Sequence, residues 1–181
     1  MIVSKHKKQN DIAGYVLYMW QIEDLIRAND LDMSKIEKTI ISQYEQPENV
    51  KKEIYEWFEN LVFMIKNEKK EKEGHIQVLV NTVNDMNNLH LRLMQAPTEV
   101  AYQHQFMKAV PHIKELEKKM RPTPRHDIEL MLAALYNAFI LKLKGKEITD
   151  ATRDALTVFG KSLSLLSAKY RLEQNGELNR E

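Results

Sequence analysis

"VKKEIYEWFENLVFMI", residues 50–65, decides the fold. Val50, Ile54, Trp57, Phe58, Leu61, Met64 and Ile65 recur at steps of three and four, while Lys52, Glu56 and Glu59 fall on the opposite side. That spacing matches the 3.6-residue period of an α-helix with one apolar stripe, and no strand would sort these residues onto one face. The same period recurs along most of the chain, and no convincing apolar–polar alternation appears anywhere.

Working outward, a first helix is expected over about 10–28 and a short second one over 33–44, with Met33, Ile36, Ile40 and Tyr44 on one side. Pro47 suits the first turn of the third helix, which should run out in "KNEKKEKEG", with Gly74 as its stop. A fourth follows over 75–95 and a fifth over 98–120, kinked at Pro111. The joint "RPTPR", residues 121–125, precedes a sixth whose apolar residues point almost all round, so it should be central and end at Gly145. Thr149 or Asp150 caps a seventh reaching about residue 172. The fold class is therefore all-α. An irregular antiparallel bundle of about seven helices with no sheet is expected, as a single domain over 1–181 with frayed ends at about 1–9 and 173–181.

Composition agrees and narrows function. Only five Gly and five Pro occur in 181 residues, too few for a loop-rich or all-β chain. With 27 basic and 26 acidic side chains the net charge is +1, so the global basic excess of a nucleic-acid binder is missing. Cysteine is absent, which removes disulfides, zinc–thiolate sites, iron–sulfur clusters and thiol nucleophiles. Residues 12–20 could imitate a signal core, but "QIEDLIR" stands where a cleavage site should be, and no apolar run is long enough to span a bilayer. A cytoplasmic protein without membrane or nucleic-acid partners is expected.

No phosphate-cradling glycine loop, HExxH or G-x-S-x-G occurs, and no acid stands at helical ligand spacing before a histidine. No catalytic residue, metal site or cofactor is assigned. Two features remain. In "YMWQIEDLIRA", residues 18–28, a helical wheel puts Glu23 between Ile12 and Val16 and Arg27 between Val16 and Trp20, on the apolar arc. Asp24 falls nearer the boundary. Charges there must emerge into water, pair as a structural lock, or line a pocket in which Arg27 holds an anion and Glu23 acts as acid or base. The second feature is His90, flanked by Leu79, Met86 and Leu93 on one side and by Val83 and Met94 on the other. His75 opens a helix after Gly74, while His6, His104, His112 and His126 read as solvated. Mutual pairing of Glu23 and Arg27, with His90 as the outside member, is the arrangement expected.

"IAGYVLYMWQIEDLIRA", "EWFENLVFMI", "GHIQ", "LHLRLM" and "LKLKGKEIT", in that order, resemble a small bacterial family known only as a domain of unknown function. The resemblance covers essentially the whole chain and implies an all-helical, cytoplasmic, single-domain bacterial protein. It carries no activity, ligand or partner, so no residue role comes with it. The leading expectation is a non-enzymatic interaction or regulatory module, as a homodimer or with a protein partner. Phe63, off the main face of its helix, and the stripe of Ile36, Ile40 and Tyr44 are the candidate contact surface. The rival expectation is a small-ligand binder or enzyme with a polar pocket around Glu23, Asp24, Arg27, His75 and His90.

Overall fold

The computed structural model describes residues 2–121 and 124–178, which hold eight α-helices and no strand. They are α1 (Ile2–Asn10), α2 (Ile12–Ala28), α3 (Met33–Thr39), α4 (Glu48–Asn67), α5 (Gln77–Gln95), α6 (Val100–Glu117), α7 (Asp127–Leu143) and α8 (Asp150–Gln174), with a single 3-10 turn at Ile41–Gln43. The start of the chain, read as frayed, is helical instead. Asp11 separates α1 from α2 by capping the latter, its side chain accepting from the Gly14 amide at 3.0 Å. Pro122 of the Pro-rich joint lies outside the described residues, as do Met1 and residues 179–181 of the tail.

One contiguous apolar core runs through α2 and α4–α8, with Ile36 and Ile41 joining it from the α3 region. Two helices share its centre: α8, which packs against α1, α2, α5, α6 and α7, and α2, which packs against α1, α4, α5, α7 and α8. Small side chains permit this. Ala155, Ser162 and Ser167 are buried on α8, and Ser167 Oγ accepts from the Ala13 amide at the start of α2, at 3.2 Å. The central role expected of α7 is thus corrected. Its buried residues are Ile128, Leu130, Met131, Leu132 and Ala134, all in its first half, whereas Phe139, Leu141 and Leu143 are exposed. An apolar residue on every side was read as burial, but the second half of α7 projects with its flanks uncovered.

Helix ends account for other differences. α4 stops at Asn67, seven residues before Gly74, because Lys69 takes the left-handed conformation (φ 55°) and closes the helix itself. The Lys70 amide then reaches Ile65 O at 2.8 Å and the Lys69 amide reaches Lys66 O at 3.2 Å, the paired bonds of a Schellman ending. α2 ends the same way, with Leu31 N on Ile26 O and Asp30 N on Arg27 O. α7 does so through Gly145, as the sequence indicates. Pro111 lies inside α6 on its exposed side, and the helix continues through it. Thr149 caps α8, accepting from Thr152 N at 3.2 Å.

Candidate functional site

α5 begins with Ile76 at its N-cap, a residue that has no side-chain acceptor for the free amides of the first turn. Acids from two other helices fill that role. Glu23, on α2 and fully buried, accepts the Ile76 amide on Oε1 at 2.8 Å. Glu68, at the end of α4, accepts the Gln77 amide at 2.5 Å. Acidic groups are favoured here because the amides at a helix N-terminus carry partial positive charge. Glu23 Oε2 lies 2.5 Å from His75 Nδ1, so a neutral ring holds its proton on Nδ1 and a protonated ring makes an ion pair. The imidazole stacks on Trp20, centroids 4.3 Å apart and planes within 11°, and Tyr136 meets the indole edge-on at 5.7 Å.

Arg27 works one turn further along α2. Its Nε donates to Lys70 O at 3.1 Å, Nη2 donates to Gly74 O, and Nη1 bonds Asp24 Oδ1 at 2.9 Å. Asp24 Oδ2 in turn accepts from the Tyr136 hydroxyl at 2.6 Å. Burial first, then this bond and the charge of Asp24, raise the Tyr136 pKa, so the hydroxyl stays a donor at neutral pH. Arg27 and Glu23 therefore hold the two ends of one connection, the loop over 68–76, to α2.

Of the sequence candidates, Glu23, Asp24, Arg27 and His75 come together. The expected Glu23–Arg27 pair does not form among the described residues: Arg27 pairs with Asp24, and Glu23 with His75. The i, i+4 spacing permits a contact, but the loop over 68–76 offers each group a better-placed partner. His90 is elsewhere, about 21 Å along α5 from Ile76 at 1.5 Å per residue. Its Nδ1 meets the Tyr102 hydroxyl at 2.7 Å and its ring packs on Phe106 at 4.2 Å. Burial, with a smaller contribution from His126, lowers the His90 pKa to about 4. His126 is half-buried rather than solvated, since its Nδ1 accepts from the Glu129 amide at 3.2 Å and caps α7. His112 is half-buried too, edge-on to Phe159. His6 and His104 are exposed.

Trp20, Tyr136, Glu68 and the loop carbonyls were not found from the sequence. One usable signal existed: a helix opening on "HIQ" with no Ser, Thr, Asp or Asn must take its acceptor from elsewhere in the fold.

The cluster leaves little room for a substrate. The void beside Trp20 and His75 is about 10 Å³, the size of one water. Trp20 Nε1, buried next to it, has no hydrogen-bond partner among the described residues. Across Tyr136 the surface differs. α1, α2 and α7 enclose a groove of about 390 Å³, walled by Leu17, Tyr18, Leu135, Tyr136 and Phe139 and edged by Lys7 and Gln21. No group of three or more His, Asp or Glu that could hold a metal occurs among the described residues. No helix there is long and apolar enough to cross a membrane.

The chain matches the model of the family described as Domain of unknown function (DUF4924) over residues 1–177, and it belongs to that family. No curated protein and no solved structure matches it.

Proposed function

We propose that this DUF4924 protein acts by binding rather than by catalysis, as a helical module that takes a small ligand in the α1–α2–α7 groove. In this reading the Glu23–His75–Arg27 assembly is a structural clasp beside that groove. One observation carries the assignment: the Glu23 carboxylate and the Arg27 guanidinium are taken by internal partners, whereas the side chains of Lys7 and Gln21 at the groove make no hydrogen bond or ion pair to any described residue. A volume of about 390 Å³ lies within the roughly 300–1,000 Å³ of small-molecule sites, which are typically apolar with a few polar groups. Native mass spectrometry of the protein purified from its host tests this. A co-purifying small molecule lost on Tyr136→Ala supports it, and a bare chain with no thermal shift across a metabolite library refutes it.

Self-association is a second reading, favoured by the uncovered end of α7. Leu143 is 67% exposed, and earlier on the same helix Ala134, Ala138 and Leu141, with Leu156, wall an apolar groove of about 180 Å³. A projecting ridge beside a groove can fit a second copy of itself across a two-fold axis. The other surface expected from the sequence weakens, because Ile36 is fully buried and Ile40 and Tyr44 pack on the core. Phe63 remains 67% exposed. Light scattering at about 100 μM should show a dimer that Leu143→Glu dissociates, and a monomer throughout would end this reading.

A further inference from the structure

We infer that the groove between α1, α2 and α7 takes an aromatic monocarboxylate; this rests on the groove being a ligand site and specifies its occupant. The walls supply the aromatic half of the argument. Tyr18, Tyr136 and Phe139 offer ring faces and edges around the groove, with the Tyr136 and Phe139 centroids 6.3 Å apart and their planes inclined by 37°. Planar π-systems pack against such surfaces in offset or edge-on geometry.

The rim supplies the charge. α1 has no acid in its first turn and ends in Lys7 and Lys8. Lys8 is accounted for, its ammonium lying 5.6 Å from the centroid of the Tyr15 ring. Lys7 is not. It is half-buried at the groove, and no acid among the described residues pairs with it. A lysine so placed lays its stem along the apolar wall and leaves its ammonium at the rim for an anion to meet. The Gln21 amide, also half-buried and without a partner among the described residues, adds a donor for one carboxylate oxygen.

Head-group size follows from the same inventory. One lysine and one amide suit a single negative charge with two oxygens. A phosphate dianion calls for further donors, of the forked kind that arginine supplies. The nearby guanidinium, Arg27, is already engaged by Asp24 and two loop carbonyls. Depth is set by Gly14, which also lines the groove. The Asp11 carboxylate that caps α2 lies over it, within 2.2 Å of where a Cβ would stand, so a larger residue there would displace the cap and change the groove wall.

The test is an amide-resolved NMR titration of the full chain with a matched pair, indole-3-acetate and its neutral isostere indole-3-acetamide. Octanoate serves as an aliphatic anion. The acetate is expected to shift the amides of Gly14, Gln21 and Phe139 and to bind at least 10-fold tighter than the acetamide. Lys7→Gln should erase that preference while leaving the circular dichroism spectrum unchanged, since the Lys7 side chain bonds no described residue. Equal affinity for acid and amide, or a preference that survives Lys7→Gln, overturns the carboxylate assignment while the groove stands as a binding site. Tighter binding of octanoate than of the indole acid overturns the aromatic half. If none of the three compounds moves a groove amide, both the occupant and the groove reading fall.

Discussion

Glu23 shows how one buried acid can look like a catalyst and act as a fastener. It is 0% exposed, yet its oxygens are taken by the Ile76 amide and the His75 ring. Glu23→Ala would leave that amide without an acceptor, at a cost of about 2 kcal/mol. Coupling should follow contacts and not sequence spacing. A denaturation double-mutant cycle is expected to give about 1–2 kcal/mol between Glu23 and His75, and under about 0.5 kcal/mol between Glu23 and Arg27. Strong Glu23–Arg27 coupling would contradict the geometry. Arg27→Met should cost only about 1–2 kcal/mol, since its ion-pair partner Asp24 is half-exposed and the loss is mainly that of the loop carbonyl bonds. The wheel placed both charges on the inner arc correctly. Asp24 apart, it could not see their partners, because those belong to a loop more than 40 residues away.

His90 carries a second consequence at this scale. Its pKa is about 4 in the folded protein against 6.5 for a free ring, so the unfolded chain binds the proton more readily between those values. Stability therefore rises with pH across that window and is lost as pH falls through it, by up to about 3 kcal/mol at pH 4. His126, also lowered by burial, adds to the same trend. Urea denaturation of the wild type and of His90→Gln between pH 4 and 7 checks this. The variant should have a shallower dependence, and an identical slope would remove His90 from the account.

Among helices, the endings separate what local rules can predict from what packing decides. Gly145 and Gly176 stand where α7 and α8 turn left-handed, and glycine is the residue that does so without strain. α2 and α4 make the same turn with Asp30 and Lys69, so no glycine marks them. That is why α4 was read as running on to Gly74. Lys69→Gly should raise stability by about 0.5–1 kcal/mol, seen as a higher melting temperature, and Gly145→Ala should lower it by about 1 kcal/mol. A lower melting temperature for Lys69→Gly would mean that Lys69 does more than turn the chain. α1 was missed for a different reason. It is short and polar, and it gains its place by packing on α2 and α8 rather than from its own periodicity.

At the level of the whole molecule, the all-helical class was legible because the period of 3.6 is repeated in every long segment. The arrangement was not. Hydrophobicity pointed to α7 as the centre, but centrality is shared by α2 and α8, each packed on five other helices, α8 through its small buried residues. Amide hydrogen exchange should report this directly. Protection is expected to be high around residues 159–167 of α8 and across α2, and to fall off in the second half of α7. Faster exchange in the middle of α8 than at the end of α7 would reverse the assignment.

The remote capping of α5 bears on the order in which the chain is made. Both acids that complete its first turn, Glu23 and Glu68, lie upstream of it, so they have already left the ribosome when Gln77 emerges. A peptide of residues 76–95 has neither, and it should be largely unstructured in water, as short uncapped helices are. Circular permutation makes the dependence measurable. A chain opened within 71–73 and joined through its original ends would synthesise α5 first and its two capping acids last. That permutant should reach the same native spectrum in refolding, where all segments are present together. During translation it should expose the apolar face of α5 for longer and give a lower soluble yield than the natural order.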